Sequence, residues 1–235
     1  MIHHPKKSKG FCKAKFFHSP STAKQSFYLI ESLLFENGAF FLANLHWQRL
    51  RKSARFFGFK FDMKRIEEKI LSIKNGLITN NQKRYKVRFT LEKEGYLESN
   101  VEEVILSSQE EKRKVAIATQ RVDSSDIFLR HKTSIYRKFY DKEVGKKEYA
   151  SLFSLIFLNE RDEITESSGA NVFIKKNQEI LTPPLDSGLL PGTFREHLLR
   201  ENKCQEKILY SDDLKNADQV FLGNSVRRMM EVKVL

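Results

Sequence analysis

The sequence has few cysteines and no long apolar run, and each absence excludes a class of protein. Its two cysteines, Cys12 and Cys204, cannot build the disulfide framework of a small secreted domain. No Cys/His cluster has the spacing of a zinc site, so we expect no metal. No apolar run approaches the roughly 18–20 residues that cross a bilayer, and none follows the basic N-terminus as in a signal peptide. We therefore expect a cytoplasmic protein without a membrane anchor.

Positive charge, by contrast, is in excess. The chain has 42 Lys and Arg against 30 Asp and Glu, a formal net charge of +12. Such a surplus attracts nucleic acid, anionic lipid or small anionic substrates. The basic residues are mostly scattered, without a nucleic-acid motif or a basic stripe interleaved with aromatics. This scatter favours a solvated surface or a field that steers a small anion, and it disfavours a non-enzymatic nucleic-acid-binding protein.

Hydrophobic periodicity predicts both helices and strands. Apolar residues recur at helical spacing over 46–57 and 62–76, and a further helix is expected over 135–152. Alternating residues predict a strand over 85–91, which a turn connects to another over 96–106. The chain therefore mixes helices and strands, as in α+β or α/β proteins.

The length of 235 residues allows one large domain or two smaller ones. The polar segment 119–126, rich in Ser and Asp, predicts a connection between two domains. We place the boundary near residue 118, which gives an N-terminal domain over 1–118 and a second over 119–235. Residues 1–24 are basic and poorly patterned, as in a flexible arm.

The most informative stretch runs from Asp162 to Leu199. Its turn Leu190-Pro191-Gly192 leads into a short helix through Phe194. A glycine before a helix lets N–H groups point at an anion, which the helix dipole also favours. Glu166 is a lone acid beside the small residues 167–171, which would allow close approach of a flat ligand. By itself the pattern fits either a structural turn or a phosphate site.

Two sequence motifs in this stretch, TESSGAN and TPPLDSGLLPGTFR, resemble the signature of the class IV (fold-type IV) pyridoxal-phosphate enzymes. Within that family this stretch is most similar to the 4-amino-4-deoxychorismate lyases, as is the HKT at 131–133. The resemblance covers roughly residues 27–60 and 115–228. It implies a two-domain fold similar to that of D-amino-acid aminotransferase. A smaller N-terminal α/β domain and a C-terminal pseudobarrel-like domain would hold the cofactor between them.

The resemblance also assigns cofactor-binding residues, one position at a time. Lys132 would join pyridoxal 5'-phosphate covalently and later move protons, a role that suits a buried lysine with a lowered pKa. Glu166 would bind the pyridine nitrogen, and Arg49, in the pattern H-x-x-R-L, would bind the phosphate. The rest of the phosphate cup would come from a helix start and from a pair after the last strand: Gly192, Thr193, Phe194, Asn224 and Ser225.

One position departs from the family pattern. The family arginine lies four residues beyond the lysine, whereas Arg137 lies five beyond Lys132. This offset weakens the case for Arg137 and Tyr136 as functional residues, but it does not affect Lys132.

Substrate contacts are predicted from charge. The substrate of the lyases carries two carboxylates, so cations are expected around it. Lys86 and Arg88 fall on one face of the strand 85–91, and Arg130 lies two residues before Lys132. These three are the candidates, with ordinary surface charge as the alternative.

The resemblance implies a lyase that eliminates pyruvate from 4-amino-4-deoxychorismate and gives 4-aminobenzoate for folate biosynthesis. The alternative is a class IV aminotransferase, of branched-chain or D-amino acids, that transfers an amino group to a 2-oxo acid. Both would use the same cofactor groups. The motifs HKT and TPPLDSGLLPGTFR favour the lyase, although the choice of reaction in this family depends on the shape of the pocket. The resemblance also implies a homodimer and a functional link to aminodeoxychorismate synthase, to which similar lyase modules are fused.

Overall fold

The computed structural model describes residues 26–77, 83–105 and 112–235, together with the backbone of one short strand before them. The strands are β1 (Phe16–Phe17), β2 (Leu29–Glu36), β3 (Ala39–Phe40), β4 (Tyr85–Leu91), β5 (Leu97–Glu103), β6 (Arg113–Ile117), β7 (Arg121–Val122), β8 (Ser154–Leu158), β9 (Ile164–Ser167), β10 (Asn171–Lys176), β11 (Glu179–Thr182), β12 (Gln205–Glu206), β13 (Gln219–Asn224) and β14 (Arg228–Val234). The α-helices are α1 (Ala43–Phe57), α2 (Met63–Leu77), α3 (Ser134–Val144), α4 (Thr193–Arg200) and α5 (Ser211–Lys215). Short 3-10 helices lie at Ile127–Arg130, Lys147–Tyr149 and Leu185–Ser187.

The smaller sheet has the strand order β3-β2-β4-β5 and is antiparallel throughout. Its two faces differ because side chains alternate along a strand. On one face Leu33 and Val87 pack under Trp47, Leu50 and the rest of the apolar stripe of α1. The other face carries Ile30, Ser32, Lys86 and Arg88, which line a cavity together with Asn224 of the larger sheet.

The larger sheet closes on itself. Its strands follow the order β10-β13-β14-β6-β8-β9, and the pairing of Glu166 with Asn171 joins β9 back to β10. Closure gives every strand of this ring two neighbours, so the ring itself has no open edge. β11 and β12 extend from β10 outside the ring. This closed sheet is the expected pseudobarrel-like domain, and the smaller sheet with its helices is the expected α/β domain.

Several predicted elements are confirmed with small shifts. The helix predicted over 46–57 is α1, which Gly58 ends in the left-handed conformation at φ 69°. α2 continues one residue past the predicted end at Gly76. The helix predicted over 135–152 is too long, because α3 ends at Val144 and a separate 3-10 turn follows Gly145.

The domain boundary near residue 118 stays a prediction. β6 precedes that position but hydrogen-bonds to β14 and β8 in the larger sheet. Of the arm predicted at 1–24, the backbone of β1 pairs in parallel with β7, and the other residues lie outside the described part. Over the described residues, no helix combines the length and the apolar character that a bilayer crossing requires.

Candidate active site

A cavity with about 720 Å³ of empty space lies between the two sheets. Its walls bring together residues that are far apart in sequence. All eight residues predicted to bind the cofactor line it: Arg49, Lys132, Glu166, Gly192, Thr193, Phe194, Asn224 and Ser225. All the predicted cofactor residues therefore converge on one place.

Lys132 is fixed by backbone bonds to the smaller sheet. The N–H of Ile30 donates to the carbonyl of Lys132 at 2.8 Å, and the N–H of Ser134 donates to the carbonyl of Tyr28 at 3.0 Å. These bonds hold the start of α3 beside β2 as a short antiparallel bridge. The lysine side chain consequently enters the cavity from a rigid part of the fold.

Burial lowers the pKa of Lys132 to about 7, although the carboxylate of Glu31 opposes the shift. The positive charges of Arg49, Arg88 and Arg137 lower it further. Near neutral pH a large fraction of Lys132 is therefore an uncharged amine. An uncharged amine can attack a carbonyl group or accept a proton.

Glu166 lies on β9, at the opposite wall of the cavity. The hydroxyl of Tyr140 donates to its Oε1 at 2.8 Å, and the N–H of Leu190 donates to its Oε2 at 3.2 Å. Burial raises the pKa of Glu166 to about 7, while these two hydrogen bonds and two arginine charges hold it down. The carboxylate is thus poised to ionise when a cation comes near it.

Besides Lys132 and Glu166, the cavity is lined by a set of hydrogen-bond donors suited to an anion. Helix α4 begins at Thr193 after the N-cap Gly192, and no side chain caps its first turn. The first N–H groups of a helix have no intrahelical acceptor and favour an anion. The guanidinium of Arg49 lies beside them, because its Nη1 donates to the carbonyl of Pro191 at 3.0 Å.

Glycine is required at position 192 by close packing. A Cβ built there would lie 1.9 Å from Oδ1 of Asn171. Asn171 in turn donates from Nδ2 to the carbonyl of Leu190 at 3.0 Å, which fixes the turn before α4. On the far side of the cavity, Ser225 donates to the carbonyl of Ser32 at 3.2 Å and Asn224 donates to that of Gly169 at 3.0 Å.

A second cavity, with about 1010 Å³ of empty space, meets the first at Lys132. Lys86 and Arg88 line it on the polar face of the smaller sheet, as their alternation predicted. Lys86 pairs with Glu102 at 2.7 Å. The Nε of Arg88 is buried without a hydrogen-bond partner among the described residues. Arg137 and Arg227 also line this cavity, as do the carboxylates of Glu102 and Glu103, so a substrate group there would meet both signs of charge.

Arg130, the third predicted substrate residue, lies elsewhere. It pairs with Asp186 at 3.2 Å and is not among the described residues that line either cavity. It is the last residue of the 3-10 turn Ile127–Arg130, and the chain continues in an extended conformation at His131 before Lys132. The structure does not bring Arg130 to the site.

Sequence reasoning missed or discounted residues both in the walls of the cavities and behind them. Arg137 lines both cavities and donates to the carbonyl of Ser168 at 2.7 Å, and Tyr136 lines the first cavity. The offset of one residue therefore does not remove them from the site. Tyr140 had no sequence signal beyond its helix. Glu31 had one, because an acid interrupts the apolar run in the middle of the strand LIESLLFE.

Residues 28–235 match the model of the amino-transferase class IV family. A Schizosaccharomyces pombe protein named "Putative aminodeoxychorismate lyase" is 28% identical over 212 residues, which cover 85% of this chain and 88% of that protein. The crystal structure of a "Putative amino-acid aminotransferase" from Mesorhizobium loti is 32% identical, with a TM-score of 0.80 over 89% of this chain and 100% of that one. A "Putative 4-amino-4-deoxychorismate lyase" from Legionella pneumophila shares the fold at a TM-score of 0.69 and 21% identity, over 94% and 90% of the two chains.

Proposed function

Because this chain belongs to the class IV aminotransferase family, we propose that it is a pyridoxal-phosphate-dependent 4-amino-4-deoxychorismate lyase. The observation that carries the proposal is the pair of cavities that meet at Lys132. The first is lined by a carboxylate and by a set of anion donors, and the second is lined by several cations together with Glu102 and Glu103. The likeness to the S. pombe protein over most of both chains supports the same reading.

The residues of the first cavity fit pyridoxal phosphate. Lys132 would hold the aldehyde carbon, Glu166 the ring nitrogen, and Arg49 with the start of α4 the phosphate. Tyr136 and Arg137, which line the same cavity, would border the ring. When bound, this cofactor withdraws electrons from the substrate carbon that carries the amine.

The protein's own groups would then position the substrate and move one proton. The uncharged amine of Lys132 would accept the proton from the ring carbon that bears nitrogen. Glu166, as a carboxylate, would accept a hydrogen bond from the protonated pyridine nitrogen. Loss of the enolpyruvyl group as pyruvate makes the ring aromatic, so product formation is strongly favoured.

The second cavity fits a substrate with more than one carboxylate. Arg88 and Lys86 line it from the smaller sheet, and Arg137 and Arg227 line it as well, beside the carboxylates of Glu102 and Glu103. We propose that two of these cations meet the two carboxylates of aminodeoxychorismate. We propose Arg88 as the main substrate contact, since Lys86 is already paired with Glu102.

The second candidate is an aminotransferase, favoured by the likeness to the Mesorhizobium loti structure over its full length. The two reactions differ in their need for an amino acceptor. Purified protein with added pyridoxal phosphate and 4-amino-4-deoxychorismate, but without a 2-oxo acid, should form 4-aminobenzoate if it is the lyase. The Lys132→Ala variant should form none. An absorption band of bound cofactor that an amino acid bleaches, with no 4-aminobenzoate, would instead identify an aminotransferase.

A further inference from the structure

A carboxylate is buried behind the anion end of the cavity. Glu31 lies on β2 with a relative exposure of 1%, on the face that α1 covers, in alternation with Leu29 and Leu33. Neither it nor His46 is among the described residues that line the cavity. Burying a carboxylate in an apolar layer costs free energy unless several donors satisfy it. A lone acid at this position therefore calls for a reason other than packing.

Glu31 accepts three hydrogen bonds from two side chains of α1. Arg49 donates from Nε to Oε1 at 2.9 Å and from Nη2 to Oε2 at 2.6 Å, and His46 Nδ1 lies 2.6 Å from the same Oε2. Burial disfavours the charged form, but the charges of Arg49 and His46 and these bonds hold the pKa of Glu31 at about 2. An ionised carboxylate can only accept, so Nδ1 of His46 carries a proton.

The contacts continue from α1 to the start of α4. Burial lowers the pKa of His46, so its ring is neutral at pH 7 and Nε2 accepts from the hydroxyl of Thr193 at 3.0 Å. Arg49 reaches the same turn through the carbonyl of Pro191 at 3.0 Å. Both paths from Glu31 therefore end at the anion-binding turn, which belongs to the other domain.

We propose that Glu31 and His46 are positioning residues for the phosphate end of the site. Glu31 holds the guanidinium of Arg49 in one orientation and, through His46, holds Thr193 at the start of α4. The inference rests on the proposed cofactor, whose phosphate these two groups would bind. A bidentate contact between arginine and phosphate depends on the angle of the guanidinium as well as on its charge. Glu31 accepts from Nε and Nη2 and the carbonyl of Pro191 accepts from Nη1, which leaves one N–H on each Nη atom for an anion.

Removal of the Glu31 carboxylate should change the affinity for phosphate in opposite directions, depending on whether the charge of Arg49 or its orientation matters more. Glu31 cancels the charge of Arg49, so its loss would strengthen phosphate binding if charge alone mattered. If orientation matters, its loss weakens binding. Glu31→Gln separates the two, because an amide has one accepting oxygen and cannot serve donors on both sides. Either amide orientation points N–H groups at Arg49, so the guanidinium must turn away.

The measurement is the affinity of cofactor-free protein for pyridoxal phosphate and for pyridoxal, which lacks the phosphate. The dissociation constant for pyridoxal, divided by that for pyridoxal phosphate, gives a ratio that isolates the contribution of the phosphate. We expect Glu31→Gln to reduce this ratio roughly tenfold, the equivalent of one charge-assisted hydrogen bond, with little change for pyridoxal. An unchanged or larger ratio would overturn the proposal, as would an equal loss of affinity for both ligands.

Glu163→Gln is the matched control. Glu163 is 6% exposed, accepts a bidentate contact from Arg161 at 2.9 and 2.8 Å and a bond from Asn159 at 2.9 Å, and lies outside the described cavity walls. The Glu163→Gln substitution should lower the melting temperature without changing the ratio of the two dissociation constants. A change in the ratio as large as that of Glu31→Gln would mean that the assay reports general destabilisation.

A double-mutant cycle tests the path through His46. His46→Gln should reduce the ratio in the native background but have no further effect in Thr193→Val, since it acts through that hydroxyl. Additive effects would contradict the path. If the unsubstituted protein binds no pyridoxal phosphate, the proposed function fails and this role fails with it. If the unsubstituted protein binds normally and the variants keep its ratio, the positioning role alone fails.

Discussion

At the scale of single residues, the site depends on groups whose ordinary ionisation has been altered by burial. Lys132 and Glu166 have opposite charge types, yet the pKa of each is brought to about 7. Both can therefore exchange protons near neutral pH. Each is also held by named neighbours, so substitution of a neighbour should change the reaction without touching the reacting groups.

Tyr140 is such a neighbour. Its hydroxyl donates to Glu166 at 2.8 Å and favours the ionised carboxylate. In Tyr140→Phe the pKa of Glu166 should rise further, so the acidic limb of the rate profile should move to higher pH. Rates of 4-aminobenzoate formation across pH measure this shift. Tyr149→Phe, which removes a weaker 3.4 Å bond to Thr119 in the same aromatic core, should leave the profile in place.

Arg88 offers a second test at this scale. Its Nε is buried without a partner among the described residues, in the compartment that meets Lys132. Arg88→Gln should raise KM for aminodeoxychorismate about tenfold, with a smaller effect on kcat, because it removes a charge-assisted contact. Arg130→Gln is the comparison, since Arg130 pairs with Asp186 away from the cavities. Equal effects of the two variants would argue against a substrate contact at Arg88.

At the scale of elements, the turn before α4 carries the anion site. Gly192→Ala would place a methyl group on Asn171, which fixes this turn through Leu190. Overpacking of this kind costs about 1–3 kcal/mol, and here the cost falls on the anion-binding N–H groups. We expect both a lower melting temperature and weaker binding of pyridoxal phosphate. Gly76→Ala, where the Cβ would meet nothing within 4 Å, should cause neither change.

Elements with strong local signals could be predicted from sequence. The period of α1, the Asn37-Gly38 hairpin and the alternation of β4 all depend on near neighbours. The end of α3 was missed because the apolar residues continue past Gly145 into a 3-10 turn.

The residues of the site differ in the same way, because some belong to a local sequence motif and others do not. Sequence motifs identify Lys132, Glu166 and Arg49. By contrast, Glu31 and Tyr140 matter only through contacts between distant segments. Closure of the larger sheet also depends on distant pairings, such as β6 with both β8 and β14. No local pattern specifies such pairings.

At the scale of the whole molecule, the buried lysine should reduce stability before cofactor binds. The folded pKa of Lys132 is about 7, against 10.5 for a free lysine. Between these values the unfolded chain binds more protons, so the free energy of unfolding rises with pH in that window. Lys132→Met should therefore raise the melting temperature of the cofactor-free protein at pH 7, with a gain that shrinks toward pH 10. A constant gain across that range would show that ionisation of Lys132 is not its cause.

Lys132 follows the predicted domain boundary, and its carbonyl accepts a hydrogen bond from the N–H of Ile30 in the smaller sheet. If the two domains separate, this bond must break or the lysine must leave the barrel side. Amide hydrogen exchange at Ile30 therefore reports, at a single residue, how often the two halves part. A cofactor that bridges the domains should slow that exchange, so the exchange rate of this one amide proton measures how often the site opens.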